Sequence, residues 1–206
     1  MKNRWKLFVF CHLLVAATAC TRCASRQEQK ETAVAGGQVM GVSEEIIPSF
    51  TRTATVYTFE VDYDQSNADI IAACQYAWGD FSRPETYDDL PPEVMGKRAI
   101  DFVVSSSTTT ETASRMLDRM QEARLRSAAV KELLTFGCIF PYNSRQHQTV
   151  AALGSVWEDQ HGQDYFVYLH HQFLREKGYY RWEPGIWRVD RLWDTSWTFA
   201  GVREAE

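Results

Sequence analysis

The side chains best suited to chemistry sit in the most aromatic stretch of the chain, Gln163 to Phe199, where His170, His171 and Arg191 stand among tyrosines and tryptophans. Neighbours on a regular strand point to opposite faces, so the adjacent histidines are not a joint metal site. From Tyr165 the odd positions read Tyr165, Val167, Leu169, His171 and Phe173, and the even ones Tyr168, His170 and Gln172, an apolar face and a wetter one. Further on, Trp187, Val189, Arg191, Trp193, Thr195, Trp197 and Phe199 share one parity, so two antiparallel strands would build one aromatic wall. A guanidinium on such a wall is costly unless it is paired or led to the rim. His171 and Arg191 therefore mark either a rim or the polar end of a pocket walled by Tyr165, Trp187 and Trp193, where an anion or a partner carboxylate would be met. An enzyme reading would use His171, Asp101 or Asp190 in that pocket. It has no support from a glycine-rich phosphate loop, a G-x-S-x-G elbow or an H-E-x-x-H pair. No catalytic residue, metal or cofactor is assigned.

Cysteine chemistry is limited to two places. Cys74 and Cys138 form a pair that an oxidising compartment could bridge, although Cys74 lies on an apolar helical stripe where an unpaired thiol is equally natural. Cys20-x-x-Cys23 has redox-motif spacing but no strand before it and no second pair, which argues against zinc or thioredoxin-like chemistry.

The elements that must position these residues follow from periodicity and caps. Thr53 to Tyr63 alternates as a strand, and Ser66, three residues before Asp69, opens a helix carrying Ile70, Ile71, Cys74 and Trp78 that should end near Gly79. Asp80 to Gly96 holds three prolines and an acidic cluster, and reads as a solvated loop. Ala99 to Ser106 is a second strand. Thr108-x-x-Glu111 has capping-box spacing before the longest helix, Glu111 to Phe136, with Glu111–Arg115 and Glu122–Arg126 at supporting distance and Gly137 ending it. Val150 to Trp157 starts a terminal run of strands, broken at Glu176-Lys177-Gly178 and again at Glu183-Pro184-Gly185, where proline and glycine suit a type II turn. The expected fold is α+β, an antiparallel curved sheet packed on a long helix. This element order resembles the nuclear-transport-factor-like and cystatin-like folds, and the resemblance implies a cone with a pocket beneath the terminal strands.

The N-terminal quarter carries an address. Met1 to Ala19 has a basic start (Lys2, Arg4, Lys6), an apolar run too short to span a bilayer, and small residues before Cys20. Ala17-Thr18-Ala19-Cys20 resembles the lipobox of bacterial lipoproteins, which implies acylation of Cys20 and a membrane anchor facing the periplasm or exterior; ordinary cleavage after Ala19, and an uncleaved anchor or misread start, are the other readings of the same residues. Residues 20–50 form a polar tether, and 51–206 a single domain. The formal charge is −5, and more negative once the basic leader is gone, so nucleic acid is excluded as a partner. What remains is an exported, lipid-anchored envelope protein that binds another envelope protein or a small ligand, with a small enzyme or a subunit of an envelope-spanning secretion machine as alternatives.

Overall fold

In the computed structural model of the chain, residues 39–50, 53–74, 76, 94–142, 147–176 and 178–204 are described. The strands are β1 (Val39–Glu45), β2 (Ala54–Asp62), β3 (Lys97–Ser106), β4 (Arg126–Ser127), β5 (Thr149–Glu158), β6 (Asp164–Leu174), β7 (Tyr179–Arg188) and β8 (Trp197–Glu204). The helices are α1 (Asn67–Ala73), α2 (Ala113–Glu122) and α3 (Val130–Ile139). The strands join in one sheet in the order β1-β2-β3-β8-β5-β6-β7, with the short β4 added beside β8. Every pairing is antiparallel except β5 with β8. The fold is thus mixed α and β, as the patterning implies. It differs in closure: the sheet is open, with β1 and β7 as its outer strands, and does not curve round to close on itself.

Alternation in the strands loads both faces of this sheet. Tyr57, Phe59, Val61, Ile100, Phe102, Val104, Val167, Leu169 and Trp182 point to the side of α3, where Leu133, Leu134 and Phe136 meet them. Val56, Val103, Ala151, Phe166, Trp193 and Phe199 point to the other side, under Ala113, Met116 and Met120 of α2. A sheet covered at its centre on both faces needs apolar residues at both parities, and β3 and β5 supply them.

The long helix expected over Glu111 to Phe136 is two helices on opposite faces of the sheet. Thr112, not Thr108, caps α2 by accepting from the Arg115 N–H, and α2 stops where Arg124 takes a positive φ of 57°. Residues 126–127 then pair with β8, and α3 starts afresh. Glu132 lies in its first turn and accepts from the Ala129 N–H at 2.8 Å, from the two terminal guanidinium nitrogens of Arg126 at 2.9 and 2.5 Å, and from the Tyr63 hydroxyl at 2.5 Å. The ion pairs are therefore Glu132 with Arg126 and Glu111 with Arg119, rather than the two expected within one helix. Gly137 does not end α3 but lies inside it, where a Cβ would meet Leu169 and Tyr76.

Three other boundaries move. Val39–Glu45, read as tether, is a paired strand, and Ile47 and Phe50 behind it are buried, so the folded region starts ahead of residue 51. The predicted strand through Trp187 to Phe199 is the end of β7, a loop and the start of β8. Glu183-Pro184-Gly185 is not a turn but part of β7. The turn before β7 contains Gly178 at φ 70°. α1 ends at Ala73, where Cys74 turns to extended backbone, and so stops short of the helix end expected near Gly79; the Asp80 to Gly96 loop and the leader with Cys20 and Cys23 lie outside the described residues, apart from Val94, Met95 and Gly96.

Cys74, just past α1, is bonded to Cys138 of α3, with the Cα atoms 5.3 Å apart. The bridge closes a loop between residues 64 apart in sequence. By loop entropy that constrains the unfolded chain by roughly 4 kcal/mol. Reduction, or replacement of both cysteines by serine, should lower the free energy of unfolding by roughly that amount in urea titrations.

Candidate functional site

The five residues expected to share a pocket are divided by the sheet. Tyr165 and His171 lie on the α3 side: Tyr165 stacks on Trp157 at 6.1 Å, and His171 sits between Tyr180 at 4.9 Å and Trp182 at 4.8 Å. Trp187 pairs in register with Phe166 and lies on the α2 side. Trp193 is on that side too, 2% exposed, wedged among Phe166, Phe199 and Trp197 at 4.5–5.0 Å. Arg191 is an exposed residue of the β7–β8 connection. The odd parity shared by these residues runs through the β7–β8 loop, which has no faces.

The space beneath the terminal strands is filled. Phe136 stacks on Phe102 at 4.7 Å and approaches Trp182 at 5.9 Å, and all three are essentially inaccessible. A crevice of about 280 Å³ opens elsewhere, between Glu45–Ser49, Glu122–Arg124 and Arg203, and none of the five residues lines it. The acids considered for catalysis are engaged as well. Asp101 accepts from Thr58 at 2.7 Å and from Arg203 at 2.9 Å, and Arg203 also reaches Glu45 at 2.6 Å. Asp190 is exposed and paired with Arg188 at 2.5 Å. Among the described residues no three His, Cys, Asp or Glu side chains gather as metal ligands.

His147 escaped the sequence reading. It is buried, with Nε2 3.0 Å from the hydroxyl of Tyr57 on β2, ninety positions away in sequence. No local pattern announces a bond across that separation. Burial lowers its pKa to about 4, and burial followed by the neighbouring His170 does the same to His171.

What the α2 side does present is an aromatic surface. Tyr168 lies over Gly185, where a Cβ would come within 2.5 Å of its ring; only glycine allows that approach. Trp187 stands at 89° to Tyr168 with centroids 6.4 Å apart, and Trp197 lies 5.2 Å from Tyr168 and 6.2 Å from Trp187. Trp187 is 45% exposed, and Leu192 beyond it 70%. His170 and Glu183 face each other across β6 and β7 at 3.5 Å, one step along from the Tyr168–Gly185 pair. At the hairpin tip, Phe173 and Tyr180 form a second exposed pair on the α3 side, 4.8 Å apart.

Strand addition at β7 is hindered by Pro184. The His171 N–H donates to Gln148 ahead of β5, so the odd residues of β6 bond that way and the even ones bond to β7. Their partners on β7 are its odd residues, which leaves Pro184 with its donorless nitrogen on the outer edge. A partner thus meets the side-chain face of this end of the sheet more readily than its backbone edge. Compared with protein-family models, with curated proteins and with solved structures, the chain gives no match.

Two measurements check this layout. Histidines with folded pKa values of about 4 stabilise the fold while they stay neutral; that stability is present above their unfolded value of about 6.5 and is lost as pH falls from there towards 4. For His147 the loss should approach roughly 3 kcal/mol, and His147→Gln should flatten that part of the stability–pH curve in urea titrations. Trp193→Ala should cost about 3–5 kcal/mol of folding stability. Trp187→Ala, on the exposed rim, should cost about 1 kcal/mol or less in the same titration.

Proposed function

We propose that this chain is an exported, lipid-anchored protein of the cell envelope whose α+β domain is a binding module and not an enzyme. Its target is another envelope component, met through the exposed aromatic face built by β6, β7 and the start of β8. The observation that carries the reading is a contrast in how side chains are used. The acids weighed for catalysis are held in ion pairs, while Trp187 stands exposed beside the half-buried rings of Tyr168 and Trp197 on the α2 side, and Leu192 of the β7–β8 connection is exposed as well. Exposed aromatic clusters of this kind are a property of binding surfaces.

The address rests on sequence: the basic and apolar leader, and Cys20 after Ala17-Thr18-Ala19. Among the described residues no helix is long and apolar enough to cross a membrane, so in this reading attachment depends on acyl chains at Cys20. A polar stretch after Cys20 gives the domain reach from the bilayer. Radioactive palmitate should label the chain in growing bacteria, and Cys20→Ala should abolish the label and release the protein from the membrane fraction. Label retained in Cys20→Ala, or none in the parent, would remove the anchor. A photo-crosslinker at position 192 should give a discrete adduct in intact cells, lost on Trp187→Ala; no adduct would count against this face.

A further inference from the structure

The ring geometry on this face has a specific chemical complement, and we propose that Tyr168, Trp187 and Trp197 form an aromatic cage for a quaternary ammonium group, with Glu183 as its anionic side. The proposal rests on reading this face as a binding surface and names what it binds.

Four observations carry it. The three rings are not stacked on one another: Trp187 is perpendicular to Tyr168, Trp197 is at 67° to Tyr168, and the two tryptophans are at 43°. The centroids lie 5.2, 6.2 and 6.4 Å apart, so a cation resting over the cluster from the solvent side meets three rings within the ~6 Å that a cation–π contact allows. Gly185 lets Tyr168 lie against the β7 backbone, as a floor beside which Trp187 and Trp197 rise as walls. Glu183 projects on the same face as Gly185 and Trp187, being two residues from one and four from the other along β7, and its looser 3.5 Å contact with the exposed edge of His170 leaves its carboxylate beside the rings.

The ligand class follows from what the rings offer. An aromatic face is the negative part of a ring's quadrupole, so it attracts cations and disfavours anions. A lysine-like ammonium has three protons that need acceptors, and the cage supplies ring faces in their place. A quaternary ammonium has no such protons and loses little on leaving water for three aromatic walls. The acidic chain, with a formal charge of −5, adds a long-range bias of the right sign. Such a group reaches an envelope protein either on a free small molecule or on a lipid headgroup.

The test is calorimetric titration of the full chain with choline and, separately, with its neutral isostere 3,3-dimethylbutan-1-ol. Choline should bind with a Kd on the order of 1 mM and about tenfold more tightly than the alcohol. Trp187→Ala should abolish binding, Trp187→Phe should weaken it severalfold while keeping a ring in place, and Glu183→Gln should weaken it without affecting the alcohol. Equal affinity for choline and the alcohol would reduce the site to an apolar patch and overturn the proposal, as would choline binding that survives Trp187→Ala, or none at about 50 mM. Vesicles separate the sources. Binding to phosphatidylcholine but not phosphatidylglycerol vesicles, competed by free choline, supports a headgroup ligand; choline binding without vesicle preference supports a free one. Loss of the palmitate label would end the anchored-protein reading and leave this titration unaffected, and failure of the titration would leave the anchor standing.

Discussion

A single buried carboxylate organises the middle of this molecule. Glu132 is fully inaccessible, and an ionised group there is tolerable only because its oxygens accept from Tyr63, from Arg126 twice and from the Ala129 backbone. Those partners come from the end of β2, from β4 and from the start of α3, so one charge fixes where three segments meet. Burial first, and then the adjacent carboxylate, push the Tyr63 phenol well above its ordinary pKa, so it stays a donor. Lys131, next to Glu132, holds the carbonyl of the same tyrosine at 2.8 Å. The break between α2 and α3 depends on this arrangement, since Arg126 must leave the helical path to reach the carboxylate.

That break sends the two helices to opposite sides of the sheet, and the division shapes what the surface can do. The α3 side is sealed by Phe102, Phe136 and Trp182. The α2 side is sealed over β2, β3 and β8 by Met116 and Met120, and opens towards β7, where Tyr168 and Trp187 are only partly covered. Polar side chains that could have served chemistry serve cohesion instead: Asp101 joins β2 to β8 through Thr58 and Arg203, and Glu111 anchors α2 through Arg119.

The strands were legible wherever one parity was clearly greasier, as in β2 and β6, and the cap at Ser66 is formed as its spacing implied. The split of the long helix was also written in the chain, though faintly. After Ala123 the apolar stripe should return near residue 127, and Ser127 stands there, followed by a fresh run from Val130. Pro184 and Gly185 misled because local sequence reports a preference for turns and not whether a strand is at the edge of its sheet, where a proline fits. The aromatic wall failed for a related reason. A loop can preserve odd and even spacing by accident, and only the pairing of Trp187 with Phe166 reveals that Trp187 and His171 look in opposite directions. The cluster of Tyr168, Trp187 and Trp197 joins three strands and could not be assembled from spacing alone.

The position of β8 sets an order on folding. It is the last strand among the described residues, yet it lies between β3 and β5, joining β1–β3 to β5–β7 along the centre of the sheet. Its partners on β3 are about a hundred residues earlier, and such distant pairings form late because the intervening chain must first be confined. A chain emerging from its N-terminus therefore leaves the inner edges of β3 and β5 bare until β8 appears. Over that interval β3 and β5 are open templates for any passing strand, so β8 acts as the molecule's own safeguard against aggregation.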